Sequence, residues 1–160
     1  ILVYDLGGTT FNLSLLELQL DGNGKPSLKV IKTDGNEQLG GCEWDARLFD
    51  CLLRKYAYEN GLDDSDLDDE LRATIAALVE KLKIKLSALE RVSCSVRHSG
   101  DRTRLEVTRE EFEELSQDLV HQTIDYVHKL LSDANLKASD VDTVLLVGGS
   151  TRMPMIRNAV

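Results

Sequence analysis

The sequence has 160 residues, a length that suits one domain or one domain carrying an insertion. Hydrophobic residues make up 42% and charged residues 29%, as in soluble globular proteins, and no apolar stretch approaches the roughly 20 residues that span a bilayer. The net charge of -9 repels phosphate backbones, which argues against nucleic acid as a partner.

The cysteines bear on the redox environment of the chain, and its first residue bears on whether the chain is a fragment. Cys42, Cys51 and Cys94 are odd in number and widely spaced, which predicts buried thiols in a reducing cytoplasm and not a disulfide framework. No histidine or cysteine pair has the spacing of a zinc site. Ile1 already belongs to an apolar run, which predicts that the chain is a piece of a longer protein.

The first part of the sequence predicts an antiparallel meander of three strands. Residues 1–5 form an apolar run that is typical of a buried strand. Phe11–Leu20 predicts a second strand, in which the apolar residues change phase after Leu15 as they do at a bulge. Residues 21–26 read DGNGKP, a turn composition, and Leu28–Thr33 predicts the third strand.

The middle part predicts two helices and a hairpin. The first helix ends near Asn60-Gly61, and the second covers residues 67–89 with apolar residues three and four apart. The buried stripe of the first helix consists of Trp44, Leu48, Leu52 and Leu53. Val92–Arg97 and Arg104–Val107 predict short strands joined by a turn at Gly100-Asp101.

The last part predicts one long helix, a buried strand and a final helix. The sequence Thr108-x-x-Glu111 is a capping box, and the helix that it opens is expected to end near Asn135. An apolar strand follows and ends at Val147, and Pro154 suits the first turn of the final helix. Strands and helices in this order predict an α/β fold with a mostly helical insert.

Residues 5–12 read DLGGTTFN and place Gly7-Gly8 at the tip of the first hairpin. Amides without a Cβ can approach a phosphate closely, and Thr9 and Thr10 add hydroxyl donors. Asp5 can hold a hydrated metal ion such as Mg²⁺. The alternative is a plain tight turn, because glycine pairs are common in hairpins.

Two further glycine pairs favour the phosphate interpretation. Gly40-Gly41 precedes a helix, and Gly148-Gly149 lies between a strand and a helix. A strand, two glycines, a serine and a helix bring a nucleotide against backbone amides and a helix N-terminus. Neither a Walker A loop nor the Rossmann Gly-x-Gly-x-x-Gly is present.

The second helix adds a polar surface. Glu80, Lys83 and Ser87 fall within about 60° of one another and project nearly opposite the apolar stripe. A carboxylate, an ammonium and a hydroxyl on one face suit ribose hydroxyls and a purine edge. The alternative is a solvated face with an ion pair between residues three apart.

Four segments in this order resemble the 70-kDa heat-shock chaperones, the DnaK-like family. They are DLGGTTFN (5–12), LGGCEWD (39–45), EKLKIKLS (80–87) and VLLVGGSTRMP (144–154), and TREEFEEL (108–115) adds to the likeness. The resemblance covers the whole chain. It implies an actin-like, ribonuclease-H-like ATPase half-domain, lobe II of the nucleotide-binding domain. Residues 1–39 and 115–160 would form its base subdomain, and residues 40–114 an inserted, mainly helical α+β outer subdomain.

The resemblance also implies ATP or ADP with Mg²⁺ as cofactors and gives residues their roles. Asp5 would hold the metal through water, and Asp5, Thr10 and Asn12 are the candidate catalytic residues. The implied cofactor-binding residues are Gly7, Gly8, Thr9, Gly40, Gly41, Glu80, Lys83, Ile84, Ser87, Gly148, Gly149, Ser150 and Arg152.

Four positions depart from the family pattern: Thr9 replaces a glycine, Asn12 an aspartate, Cys42 an acidic residue and Ile84 an arginine. An amide at Asn12 cannot carry the charge of a proton acceptor. Ile84 offers a purine a flat apolar contact without guanidinium stacking, or is an incidental exposed aliphatic. Weaker nucleotide binding and slower hydrolysis than the family norm are expected.

By resemblance, the function is that of a stress-response chaperone in which ATP drives peptide binding and release. The expected partners are lobe I and a peptide-binding domain of the same chain, a nucleotide-exchange factor on the outer subdomain and a J-domain cochaperone, with no nucleic acid or membrane. Alone, the chain is expected to be an inactive monomer, because lobe I carries the second phosphate turn and a catalytic lysine. A kinase of the same superfamily and a binding module without a working nucleotide site are the alternatives.

Overall fold

The computed structural model describes residues 1–20 and 22–160, which form two compact units. The first unit comprises Ile1–Cys42 and Asp118–Val160, and the second comprises Glu43–Gln117. The subdomain boundaries expected from the sequence, 39/40 and 114/115, stay a prediction. No helix in the described part is long and apolar enough to cross a membrane.

Strands and helices mix along the chain, as an α/β fold requires. In chain order they are β1 (Leu2–Leu6), β2 (Phe11–Leu20), β3 (Pro26–Asn36), α1 (Gly41–Asn60), α2 (Asp69–Leu86), β4 (Arg91–His98), β5 (Asp101–Thr108), α3 (Arg109–Leu115), α4 (Gln117–Asp133), β6 (Val144–Val147) and α5 (Pro154–Ala159). Pro154 opens α5 as predicted.

The first unit is built on a four-stranded sheet with the order β3-β2-β1-β6. The pairs β1–β2 and β2–β3 are antiparallel, which confirms the predicted meander, and β6 runs parallel to β1. The predicted bulge is a register shift between Leu15 and Leu16. Asp21, in the predicted turn, lies outside the described residues.

Helix α4 covers one face of this sheet. Alternate residues of β1 and β2 are buried, among them Tyr4 and Phe11, whose ring centroids are 4.7 Å apart. Tyr126 of α4 stacks edge-on against Phe11, with 6.0 Å between centroids, and its hydroxyl accepts a hydrogen bond from Asn36 Nδ2 at 3.2 Å. The polar residues of β1 and β2 therefore lie on the opposite face, which leaves them free for chemistry.

Strand β6 is more exposed than predicted. Its four side chains, Val144 to Val147, are 37–46% exposed, although the apolar run predicted a buried strand. The reason is topological: β6 is an edge strand with β1 as its one neighbour.

The second unit packs helices around the hairpin of β4 and β5. The predicted stripe of α1 is buried throughout, and Gly61, at a φ of +64°, closes the helix while Leu62 N–H donates to the Ala57 carbonyl at 2.9 Å. Helix α2 is shorter than predicted, because Asp68 caps its start and it ends at Leu86. Leu89, the last residue of the predicted helix, lies beyond its end and is 52% exposed.

Two local predictions in the second half of the chain were wrong. Thr108 caps α3 as expected, but the long helix breaks at Ser116, whose N–H bonds to the Glu113 carbonyl at 3.2 Å. The hairpin turn is Ser99-Gly100 and not Gly100-Asp101, since both residues have the positive φ that a two-residue turn demands.

The described part contains no disulfide, but the three cysteines differ in burial. Cys51 is buried and Cys94 half-buried, whereas Cys42 is exposed, contrary to the expectation of three buried thiols. Burial raises the pKa of the Cys51 thiol to about 11, so it is not a reactive thiolate at neutral pH.

Candidate functional site

The turn between β1 and β2 presents unused backbone donors. Gly7 N–H donates to the Thr10 carbonyl at 2.9 Å and closes the turn. Gly8 and Thr9 at its tip are exposed, and within the described residues their amides donate no hydrogen bond. Two N–H groups at an accessible turn are therefore available to an anion.

All three glycine pairs of the first unit meet at the Gly7 carbonyl. This oxygen accepts hydrogen bonds from Gly41 N–H at 3.0 Å and from Ser150 Oγ at 2.9 Å. Cys42 N–H donates to the Gly8 carbonyl at 2.8 Å. Segments that are far apart in sequence thus converge at the end of β1.

Two of the glycines are required by this convergence. A Cβ on Gly40 would lie 2.4 Å from the Thr9 carbonyl carbon. A Cβ on Gly148, whose φ is +89°, would lie 2.2 Å from the Leu6 carbonyl oxygen. Any side chain at these positions would force the segments apart.

The fold requires no glycine at two other positions. A Cβ on Gly8 or on Gly149 would meet no atom within 4 Å, and neither residue has a positive φ. Open space lies where these side chains would stand. A ligand that approaches the backbone closely would account for both glycines.

Asp5 and Asn12 lie opposite each other at this end of the sheet. They are paired in register across β1 and β2, and Asp5 is also opposite Val147 of β6. The Asp5 carboxylate lies beside Gly148, since a Cβ there would be 2.9 Å from its Oδ1. Asn12 Nδ2 donates to Thr10 Oγ1 at 3.4 Å.

This donor set fits a hydrated metal ion and not a protein cage. The described residues contain no group of three or more acidic, histidine or cysteine side chains that could enclose a metal. One half-buried carboxylate suits Mg²⁺ that keeps its waters and takes phosphate oxygens as further ligands.

The three residues after Gly149 differ in burial: Ser150 and Thr151 are buried and hydrogen-bonded, whereas Arg152 is exposed. Ser150 is buried and its hydroxyl is bound to Gly7, so it holds the two turns together. Thr151, which the sequence analysis did not single out, donates from Oγ1 to the Gly148 carbonyl at 2.7 Å. Arg152 is exposed and forms no ion pair within the described residues, which leaves its guanidinium available to an anion.

In the second unit, the predicted polar face of α2 is not uniformly exposed. Lys83 is only 8% exposed, and its Nζ lies 2.7 Å from Asp45 Oδ2 of α1. Glu80 is exposed and forms no ion pair in the described part, so the ion pair that was the alternative for this face is absent there. The physical reason is that a buried ammonium needs a close carboxylate, and Asp45 supplies it.

Asp45 is the residue that sequence reasoning missed. It stands in the segment LGGCEWD, and no signal marked it, because Lys83 was expected on the exposed face of α2. Its second oxygen, Oδ1, is buried without a hydrogen-bond partner. A buried acceptor without a partner is unfavourable for the stability of this ion pair.

Ser87 and Ile84 flank this ion pair at the end of α2. Ser87 is the half-buried C-cap residue, and its N–H lies 3.2 Å from the Ile84 carbonyl. Ile84 is 61% exposed, so it offers an accessible apolar surface. Glu80, Ile84 and Ser87 are thus accessible, while Lys83 is not.

Comparisons with known proteins give a consistent result. The family model described as Hsp70 protein matches residues 1–160, the whole chain. The protein named Chaperone protein DnaK of Thermosipho melanesiensis is 37% identical over 166 residues, and those of Thermotoga petrophila and Thermotoga maritima are each 38% identical over 167 residues. Each match covers 100% of this chain but 27% of the relative, so the chain spans about a quarter of their length.

Proposed function

The chain belongs to the Hsp70 family, and on this premise we propose that it forms one side of the ATP-binding site of a molecular chaperone. In this proposal it is lobe II of the nucleotide-binding domain, with the first unit as base subdomain and the second as outer subdomain. The remaining partners are lobe I, a peptide-binding domain, an exchange factor on the second unit and a J-domain cochaperone.

The single observation that carries the proposal is the open space at Gly8 and Gly149. Packing explains Gly40 and Gly148 but not these two, and a ligand that approaches the backbone there would account for them. The unused amides of Gly8 and Thr9 suit phosphate oxygens there, and exposed Arg152 adds a positive charge.

Other residues contact the metal and the adenosine in this proposal. Asp5 would hold a hydrated Mg²⁺ through water, and the ion would neutralise phosphate charge. Glu80 and Ser87 accept or donate hydrogen bonds to the ribose and purine, and Ile84 packs on the ring. Asn12 cannot accept a proton, so hydrolysis is slow.

The experiment is an ADP and Mg²⁺ titration of the 160-residue chain, followed by the amide resonances of isotopically labelled protein. Gly8→Ala and Gly149→Ala should keep the fold, because the added methyl meets open space, yet weaken ADP binding about 10-fold or more, equal to about 1.4 kcal/mol.

Gly40→Ala is the matched control, because its added methyl meets the Thr9 backbone. It should destabilise the fold by about 2 kcal/mol or more, as strained backbone changes do. Unchanged ADP affinity in both Gly8→Ala and Gly149→Ala would refute the proposal.

A binding module without a working nucleotide site is the second candidate. The observation in its favour is that Asn12 bonds to Thr10 and presents an amide where the family pattern has a carboxylate. In that case ADP leaves every resonance of the glycine turns unmoved. A sugar kinase receives no support from relatives that are named as chaperones.

A further inference from the structure

The hairpin of β4 and β5 has one apolar face and one basic face. Val92, Val96, Leu105 and Val107 are buried on one side. The exposed side, which we call the arginine face, consists of Arg91, Ser93, Ser95, Arg97, Arg102, Arg104 and Glu106. Four arginines and one glutamate on one surface stand out in a chain of net charge -9.

Three of these four guanidinium groups have no carboxylate partner in the described structure. Arg91 alone is neutralised, by Glu106 at 3.0 Å. Arg102 Nη2 donates to Ser95 Oγ at 3.1 Å, and Arg104 Nη2 donates to Ser93 Oγ at 3.2 Å. Each serine contact orients the guanidinium and uses one of its five N–H donors, so most donors remain available.

The placement of the arginines on this face lowers the stability of the hairpin. Arg97 lies directly opposite Arg102 in the strand register. Like charges in directly opposite positions destabilise a sheet, and no acid from the described residues compensates here. Violations of a local rule of this kind concentrate at functional surfaces.

A concave surface continues the arginine face onto α1. Arg104 lines a cavity of about 490 Å³ together with Arg54 and Tyr58. Tyr58 is 86% exposed, an unusual position for a tyrosine ring. Arginine and tyrosine are the side chains that are enriched where proteins bind one another.

We propose that the arginine face is a docking surface for an extended acidic segment of a partner protein. Arg102 and Arg104 are two residues apart on one strand, about 6.8 Å, which matches carboxylates at alternate positions of an extended peptide. Planar guanidinium groups bind carboxylates through two parallel hydrogen bonds. The negative charge elsewhere on the chain opposes a long polyphosphate. The proposal is independent of nucleotide binding.

The test measures fluorescence anisotropy of a short labelled peptide in which glutamate alternates with threonine, mixed with the 160-residue chain. The double variant Arg102→Gln/Arg104→Gln should bind about 10-fold more weakly or worse. The matched control, Lys81→Gln/Lys85→Gln, removes the same charge from exposed positions on α2 and should change affinity by less than about 2-fold.

A second variant separates binding from folding. Arg97→Gln removes the like-charge pair, so its melting temperature should stay the same or rise while peptide affinity falls. Equal losses in the arginine and lysine variants would overturn the proposal, as would absence of peptide binding at low salt. Arginine-dependent binding of an oligothymidylate in place of the peptide would also overturn it.

Discussion

At the scale of single residues, the glycines show how folding and binding make different demands. Gly40 and Gly148 allow backbones to touch, whereas Gly8 and Gly149 border open space. The sequence treats the pairs alike, since each is two adjacent glycines at the end of a run. Only the distance from an added Cβ to its neighbours separates the structural glycines from the candidate ligand contacts.

Tyr4 provides a prediction at the same scale. Burial raises its pKa to about 12, and a weak interaction with Thr123, short of hydrogen-bond geometry, offsets little of this. A tyrosine in the unfolded chain titrates at about 10. The unfolded chain therefore releases this proton first, so the contribution of Tyr4 is complete below pH about 10 and is lost as pH rises to about 12.

In Tyr4→Phe, the free energy of unfolding, measured with urea, should fall less between pH about 10 and about 12 than in the wild type. At pH 7 the change should stay within about 1 kcal/mol, because the buried hydroxyl has no hydrogen-bond partner to lose. Tyr58→Phe, at an exposed position, is the control and should change the free energy of unfolding neither at pH 7 nor at alkaline pH. A Tyr4→Phe variant with the wild-type alkaline profile would refute this role for burial.

At the scale of elements, local signals predicted most helices and strands. The meander, the glycine cap of α1, the Thr108 cap of α3 and the proline of α5 were all confirmed, because each depends on neighbouring residues. The exposure of β6, the break at Ser116 and the partner of Lys83 were missed. These depend on which element lies beside which, and a single sequence does not contain that information.

The ion pair between α1 and α2 gives the prediction at this scale. Asp45→Ala should destabilise the chain by about 2–4 kcal/mol in urea unfolding, because it leaves the Lys83 ammonium buried beside an apolar group. Lys83→Met together with Asp45→Leu should recover much of this loss, since two apolar side chains need no neutralisation. A double variant less stable than Asp45→Ala would contradict the account.

At the scale of the whole molecule, charge sets the conditions for the proposed ligand. A chain of net charge -9 repels a nucleoside di- or triphosphate at long range. Binding must therefore come from local donors, namely the amides of Gly8 and Thr9, the guanidinium of Arg152 and a metal at Asp5.

The most direct measurement compares ADP with AMP, each with Mg²⁺, on the labelled 160-residue chain. AMP lacks the β-phosphate, so it should leave the amides of Gly8, Thr9 and Gly149 almost unmoved. ADP should shift these amides along one binding curve with a single dissociation constant. Glycine amides that respond to AMP as strongly as to ADP would contradict a phosphate site at these turns.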